Sequence, residues 1–84
     1  MWVFLFYNTD FYENRAHVHV GEKGSQDLCK IWLEPKVELD SRGEFTDAQV
    51  KEIIELAENN KYMLLEQWQR FKAGKPVKMI KITQ

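Results

Sequence analysis

Val50, Ile53, Ile54, Ala57, Leu64, Leu65, Trp68 and Phe71 recur at spacings of three and four residues. That period places them on one face of an α-helix, and a face so apolar must be covered. The start of the helix is written into "FTDAQV". Thr46 is the N-cap, and Gln49 three residues on reaches back to its N–H, a capping box. Phe45 and Val50 flank it as a hydrophobic staple, and Asp47 sits in the positive first turn. "AGKP" is the stop, with Gly74 as the C′ residue and Pro76 beyond it. The stripe keeps phase through "ENNKYM". One long helix over 46–73, bent near Asn59 and Asn60, is therefore predicted. A split at those asparagines is the alternative, because Asn tolerates the left-handed conformation. Unbent, the helix would be about 40 Å long. A six-residue strand spans only about 20 Å. The far half, with Leu64, Trp68 and Phe71, must fold back over its sheet or cover a partner.

The sheet comes from the first 43 residues. "MWVFLFY" is apolar throughout, the pattern of a strand covered on both faces. "NTDFYENR" holds turn residues. "AHVHV" alternates: Ala16, Val18 and Val20 point one way, Arg15, His17 and His19 the other. "LCKIWLE" is a third strand with Cys29, Ile31 and Leu33 on the inner face, and Pro35 marks its end. "KVELD" is a short fourth strand with Val37 and Leu39 inward. "VKMIKIT", 77–83, is the last. The order β-β-β-β-α-β predicts an α+β fold. It is one domain over 1–84, a mostly antiparallel sheet of four to five strands with one long, bent helix across one face.

Composition excludes several classes. The chain is 44% hydrophobic and 30% charged, which argues against disorder. Net charge is −1, so no overall field draws nucleic acid or an anionic membrane. The charge is uneven, however. Arg70, Lys72, Lys75, Lys78 and Lys81 follow one another with no acid between. Such a run ordinarily solvates a helix end and a strand face, but it is also where phosphate would be held. Eleven aromatic residues in so short a chain build a core and suggest some apolar surface for a partner. The lone Cys29 suits a reducing compartment and is read as a small core residue. No apolar run reaches 18 residues, and "MWVFLFY" lacks the basic start and cleavage site of a signal peptide. A cytoplasmic location is expected.

"RAHVHV" holds both histidines of the chain. Two imidazoles on one strand face, with Cα atoms about 7 Å apart, can converge on one ion. A third ligand is then needed, and Glu22, Cys29 and Glu38 are the nearby candidates, none at a motif spacing. The pair could instead serve as general base and general acid, with Arg15 holding a phosphate. The third option is packing against Trp32, and Phe4 or Phe6, on the less buried side of the sheet.

"RAHVHV", "KIWLEP" and "LLEQW" together resemble a small bacterial family, domain of unknown function 4160. Its members look like short domains with an aromatic first strand, a Pro-Pro-His-[Ile/Val]-His-Val segment, a Lys-Phe-Trp-Leu-like strand and a helix ending in Leu-Leu-x-x-Trp. The matching residues are His17, Val18, His19 and Val20; Lys30, Ile31, Trp32 and Leu33; and Leu64, Leu65 and Trp68. The likeness spans roughly residues 2 to 72. Arg15 and Ala16 stand where the family has two prolines, and the tail from Ala73 lies beyond the pattern. The resemblance implies genetic context: such proteins are often encoded beside a second small protein, in a manner similar to toxin–antitoxin pairs.

These readings favour a small bacterial interaction module that works with a protein partner, or with itself as a homo-oligomer, through Leu64, Trp68 and Phe71. The alternatives are a metal-independent nucleic-acid-cleaving enzyme using His17 and His19, and a metal-binding module. The candidate binding residues are Arg15, His17, His19, Trp32, Lys75, Lys78 and Lys81. No cofactor and no metal ligand set is expected.

Overall fold

The computed structural model describes residues 1–82. Five strands form one antiparallel sheet: β1 (Trp2–Leu5), β2 (His17–Gly21), β3 (Cys29–Trp32), β4 (Glu38–Ser41) and β5 (Ile80–Ile82). Their spatial order is β4-β3-β2-β1-β5. A 3-10 turn, Asn8–Tyr12, joins β1 to β2, and two helices, α1 (Asp47–Asn59) and α2 (Lys61–Lys72), precede β5. The fold is α+β, as the patterning predicts.

Register explains the core. Phe4 lies opposite Val20 and Ile80, Val18 opposite Ile31, and Val20 opposite Cys29. Side chains directly opposite share a face. One continuous apolar layer results, and Val50, Ile53, Leu56, Ala57, Leu64 and Trp68 of the helices join it in a single buried cluster. Phe4, Val18, Val20, Cys29, Ile31, Leu33, Ile53 and Leu64 are closed off from solvent completely.

The capping box forms as read. The Gln49 N–H donates to Thr46 Oγ1 at 3.2 Å, and the Thr46 N–H donates to Gln49 Oε1 at 2.9 Å. The single long helix does not form. Asn60 stands between α1 and α2 with φ −116° and ψ 18°. Its backbone N–H and its side-chain amide both donate to the Leu56 carbonyl, at 3.1 and 2.8 Å. A side chain competing for that carbonyl loosens the regular ladder. The break lets both halves lie on the sheet: the longest dimension of the molecule is 34 Å, shorter than the roughly 40 Å an unbroken helix would need.

Leu64 and Trp68 are thereby buried in the chain's own core, and Phe71 is half-buried against Phe6. The partner surface expected on these three residues is not available. Two strand readings also change. In β4 Leu39 lies opposite Ile31, on the core side as read, but at the sheet edge it stays 37% exposed and does not join the core. The last strand is shorter than 77–83: it begins at Ile80, and Thr83 lies outside the described residues. In the turn before α1, Gly43 has φ +60°, and a Cβ there would stand 2.3 Å from the Asp27 carbonyl oxygen. Only glycine fits both conditions. Among the described residues, no helix is long and apolar enough to cross a membrane.

Candidate functional site

β2 carries His17 and His19 on the sheet face opposite the Val18–Val20 core layer. The 3-10 turn folds back over that face. It closes locally: the Asp10 N–H donates to the Tyr7 carbonyl at 2.9 Å, and the Glu13 N–H to the Asp10 carbonyl at 3.0 Å. The Asp10 carboxylate in turn accepts the Tyr7 N–H at 2.6 Å. From the far side, Lys72 at the end of α2 donates to the carbonyls of Phe11 and Glu13 at 2.5 and 2.7 Å. Tyr7 lays its ring over His19, with centroids 4.4 Å apart, and Phe11 meets Phe71 edge-on. The turn is thus held from three directions, and it delivers Asp10 onto both histidines.

His17 Nε2 lies 3.0 Å from Asp10 Oδ1 and 3.1 Å from Glu13 Oε2. His19 Nε2 lies 3.2 Å from Asp10 Oδ1 and 3.1 Å from Oδ2. One ligand atom from each of Asp10, His17 and His19 falls within 4.8 Å of the other two. His17 is fully buried, with Trp68 and Trp32 against its ring. Asp10 is nearly so, and His19 keeps 13% of its side chain exposed. Glu13, at 45%, forms the solvent side of the cluster, beside the Lys30 ammonium 3.4 Å away.

Hydrogen bonding sets the tautomer of His17. Its Nδ1 lies 2.9 Å from the Arg15 carbonyl oxygen, which can only accept, so Nδ1 carries the proton. In the neutral ring Nε2 is then a bare lone pair facing two carboxylates. Were Nε2 also protonated, its N–H would point squarely at neither oxygen. The separations are those of hydrogen bonds but the directions are not, and Nε2 is buried without a directed partner.

The neighbouring groups titrate accordingly. Burial pushes the Asp10 carboxyl up, but the approach of His17, the Tyr7 N–H and His19 outweighs it, and the group ends below its ordinary value. Burial pulls the His19 imidazole down; Asp10 opposes this without cancelling it, and His17 and Lys30 add to the fall. Asp10 is held as an anion and His19 as a neutral base, the protonation states of metal ligands.

The family model for a domain of unknown function (DUF4160) matches residues 2–69. The chain belongs to this family. No curated protein and no solved structure matches it. Within the DUF4160 match lie Asp10, Glu13, His17, His19 and Lys30, while Lys72, which ties down the turn, follows it.

The DUF4160 site differs from the sequence expectation in its members. His17 and His19 do come together, with ring centroids 5.4 Å apart, but they are covered rather than displayed. His17 has no solvent contact, so it cannot meet a substrate as a metal-independent acid or base. Arg15 is engaged elsewhere: it donates to the Glu34 carbonyl, pairs with Glu38 at 2.6 Å and stacks 4.1 Å over Trp32. Lys75 and Lys78 line a separate groove with Phe71 and Met79, and Lys81 lines a third region beside Met1 and Val3. The cations near the histidines are Lys30 and Lys72. The third ligand-type residue is Asp10, not Glu22, Cys29 or Glu38. Its only sequence signal was an acid inside a turn seven residues before His17.

Proposed function

We propose that this DUF4160 domain binds one divalent transition-metal ion through Asp10, His17 and His19. The observation that carries the reading is His17 Nε2, buried 3.0 Å from Asp10 Oδ1 and 3.1 Å from Glu13 Oε2 with no directed hydrogen bond. A cation between these groups would compensate the buried imidazole nitrogen and the carboxylates together. The spacing supports one. Ligands about 2.0–2.1 Å from a zinc-like ion stand about 2.9–3.4 Å from each other; the His17–Asp10 and His19–Asp10 separations are 3.0 to 3.2 Å, and all three ligand atoms fall within 4.8 Å. Outer contacts support it too: His17 is oriented by the Arg15 carbonyl and Asp10 by the Tyr7 N–H, as metal ligands generally are. Two imidazoles and a carboxylate suit zinc, and also manganese, iron or nickel.

Elemental analysis of untagged protein, followed by cobalt titration with visible spectroscopy, tests this. One ion per chain with a low-symmetry cobalt spectrum is expected, lost in Asp10→Ala and in the histidine-free double variant. Wild-type protein that takes up no more ion than the histidine-free variant overturns the reading.

A second reading, an interaction module, is supported by a groove of about 660 Å³ on the sheet face beyond the turn, with Met1, Val3, Leu5, Leu28 and Met79 in its walls. The partner implied by the family resemblance is a second small protein, as in toxin–antitoxin-like pairs, in a reducing cytoplasm that suits Cys29. Solution mass at high concentration tests the homo-oligomeric form, and a strict monomer removes it.

A further inference from the structure

We infer that the same centre is hydrolytic, with Glu13 as general base and a phosphodiester as substrate. This rests on the metal-ion reading above and adds an activity to it. Three protein ligands with a fourth position left to water is the arrangement of catalytic rather than structural ion sites. Asp10, His17 and His19 form that set, and Glu13 is not a member of it. Yet Glu13 Oε2 stands 3.1 Å from His17 Nε2, beside the ion's place and on the solvent side. A carboxylate there accepts a proton from water on the open position, within the reach a general base needs. Its backbone is fixed for the task, since Lys72 holds the Glu13 carbonyl at 2.7 Å.

Charge selects the substrate. The Asp10 and Glu13 carboxylates offset a divalent ion. Arg15 is neutralised by Glu38, whereas the Phe11 and Glu13 carbonyls that accept from Lys72 leave its charge uncancelled. Lys30, 3.4 Å from Glu13 and over the Trp32 ring, and Lys72 are left as the positive units in excess beside the cluster. An anionic phosphodiester matches them. In the reaction, Glu13 takes a proton from water while the water oxygen bonds to phosphorus. The phosphorus–oxygen bond to the leaving alkoxide breaks, and the proton on Glu13 passes to that oxygen. The products are a phosphomonoester and an alcohol, and water is the only co-reactant.

The full chain, loaded with zinc or manganese and supplied with bis(4-nitrophenyl) phosphate, tests this, with Asp10→Ala as the blank. Hydrolysis above the blank is expected. Glu13→Gln should keep the ion stoichiometry and lower kcat about 100-fold or more. Glu13→Asp should recover part of that loss, and Lys30→Ala should act mainly on KM. Metal-loaded wild type that does not exceed the blank overturns the inference and leaves ion binding standing. So does Glu13→Gln with unchanged kcat, or with the ion lost as in Asp10→Ala, since Glu13 would then be a ligand. Wild type that takes up no ion removes both readings together.

Discussion

Loading the centre should stabilise the fold by an amount that can be set in advance. The proposed ligands come from β2 and from the 3-10 turn, so an ion bound to the folded chain would find no such site in the unfolded one. At free ion 100 times its dissociation constant, the gain is about 2.7 kcal/mol. Unfolding entropy near 2.1 cal/mol/K per residue gives about 0.18 kcal/mol/K for a chain of 84 residues. Tm should then rise by about 15 °C over the chelator-treated protein. Differential scanning fluorimetry in zinc against EDTA measures it. The control is unusually clean, because His17→Ala/His19→Ala removes every imidazole in the chain. That variant should move by less than about 3 °C, a scale on which 1 kcal/mol is about 4–8 °C. Asp10→Asn keeps an acceptor for the Tyr7 N–H but loses the charge, and should fall between the two. If wild type and double variant shift alike in zinc, cobalt and manganese, the ion is binding nonspecifically and the reasoning from His17 Nε2 fails.

Three further outcomes follow from the packing. Leu64→Ala should cost about 2–5 kcal/mol in urea melts, because Leu64 is fully enclosed in the chain's own core; a loss under about 1 kcal/mol would return it to a surface role. Gly43→Ala should destabilise by about 1–3 kcal/mol through left-handed strain alone, with the clash against the Asp27 carbonyl adding to it; unchanged stability would place that turn wrongly. Burial pushes the Cys29 thiol up from 9.0 to about 11, against a smaller pull from Arg42. Its folded-state pKa is raised, so its contribution is complete below about pH 9 and lost as pH climbs toward 11. The loss is at most about 2.7 kcal/mol. Melts at pH 8 and 10.5 should diverge less in Cys29→Ala than in wild type.

The fold was legible wherever one period ran uninterrupted over a buried face. Thr46 and Gln49 cap α1 as read, and Ala16, Val18 and Val20 enter the core as their alternation requires. It was less legible where a side chain competes with the backbone. The apolar stripe stays in phase across Asn60, but phase does not report that the Asn60 amide takes the Leu56 carbonyl. Leu56, off the predicted stripe, is buried as a result of the same packing. Once the helix breaks, Leu64 and Trp68 need no outside partner. The surplus apolar surface moves to the uncovered half of the sheet, around Leu5, Leu28 and Met79.

The site was legible only in its strand half, for a physical reason. A strand repeats every two residues, so His17 and His19 advertise a shared face in the sequence itself. A turn has no period. Whether Asp10 lands on that face depends on how the chain closes between β1 and β2, and on a Lys72 clamp arriving 59 residues after Glu13. Neither is local. The acid nearest in sequence to a histidine pair is therefore a poor guide to the third ligand. A better one is an acid in the connection preceding the strand, if the connection is short enough to fold back on it. By that criterion Glu22 and Glu38, which follow the pair, are weaker candidates than Asp10 and Glu13, and the distances agree. The criterion can be tested on this chain. Lengthening the connection by two glycines after Asn14 leaves both histidines and both acids present while relaxing the fold-back. Ion affinity should then fall while β2 and the core remain formed. Retention of full affinity would mean the strand pair organises the site by itself.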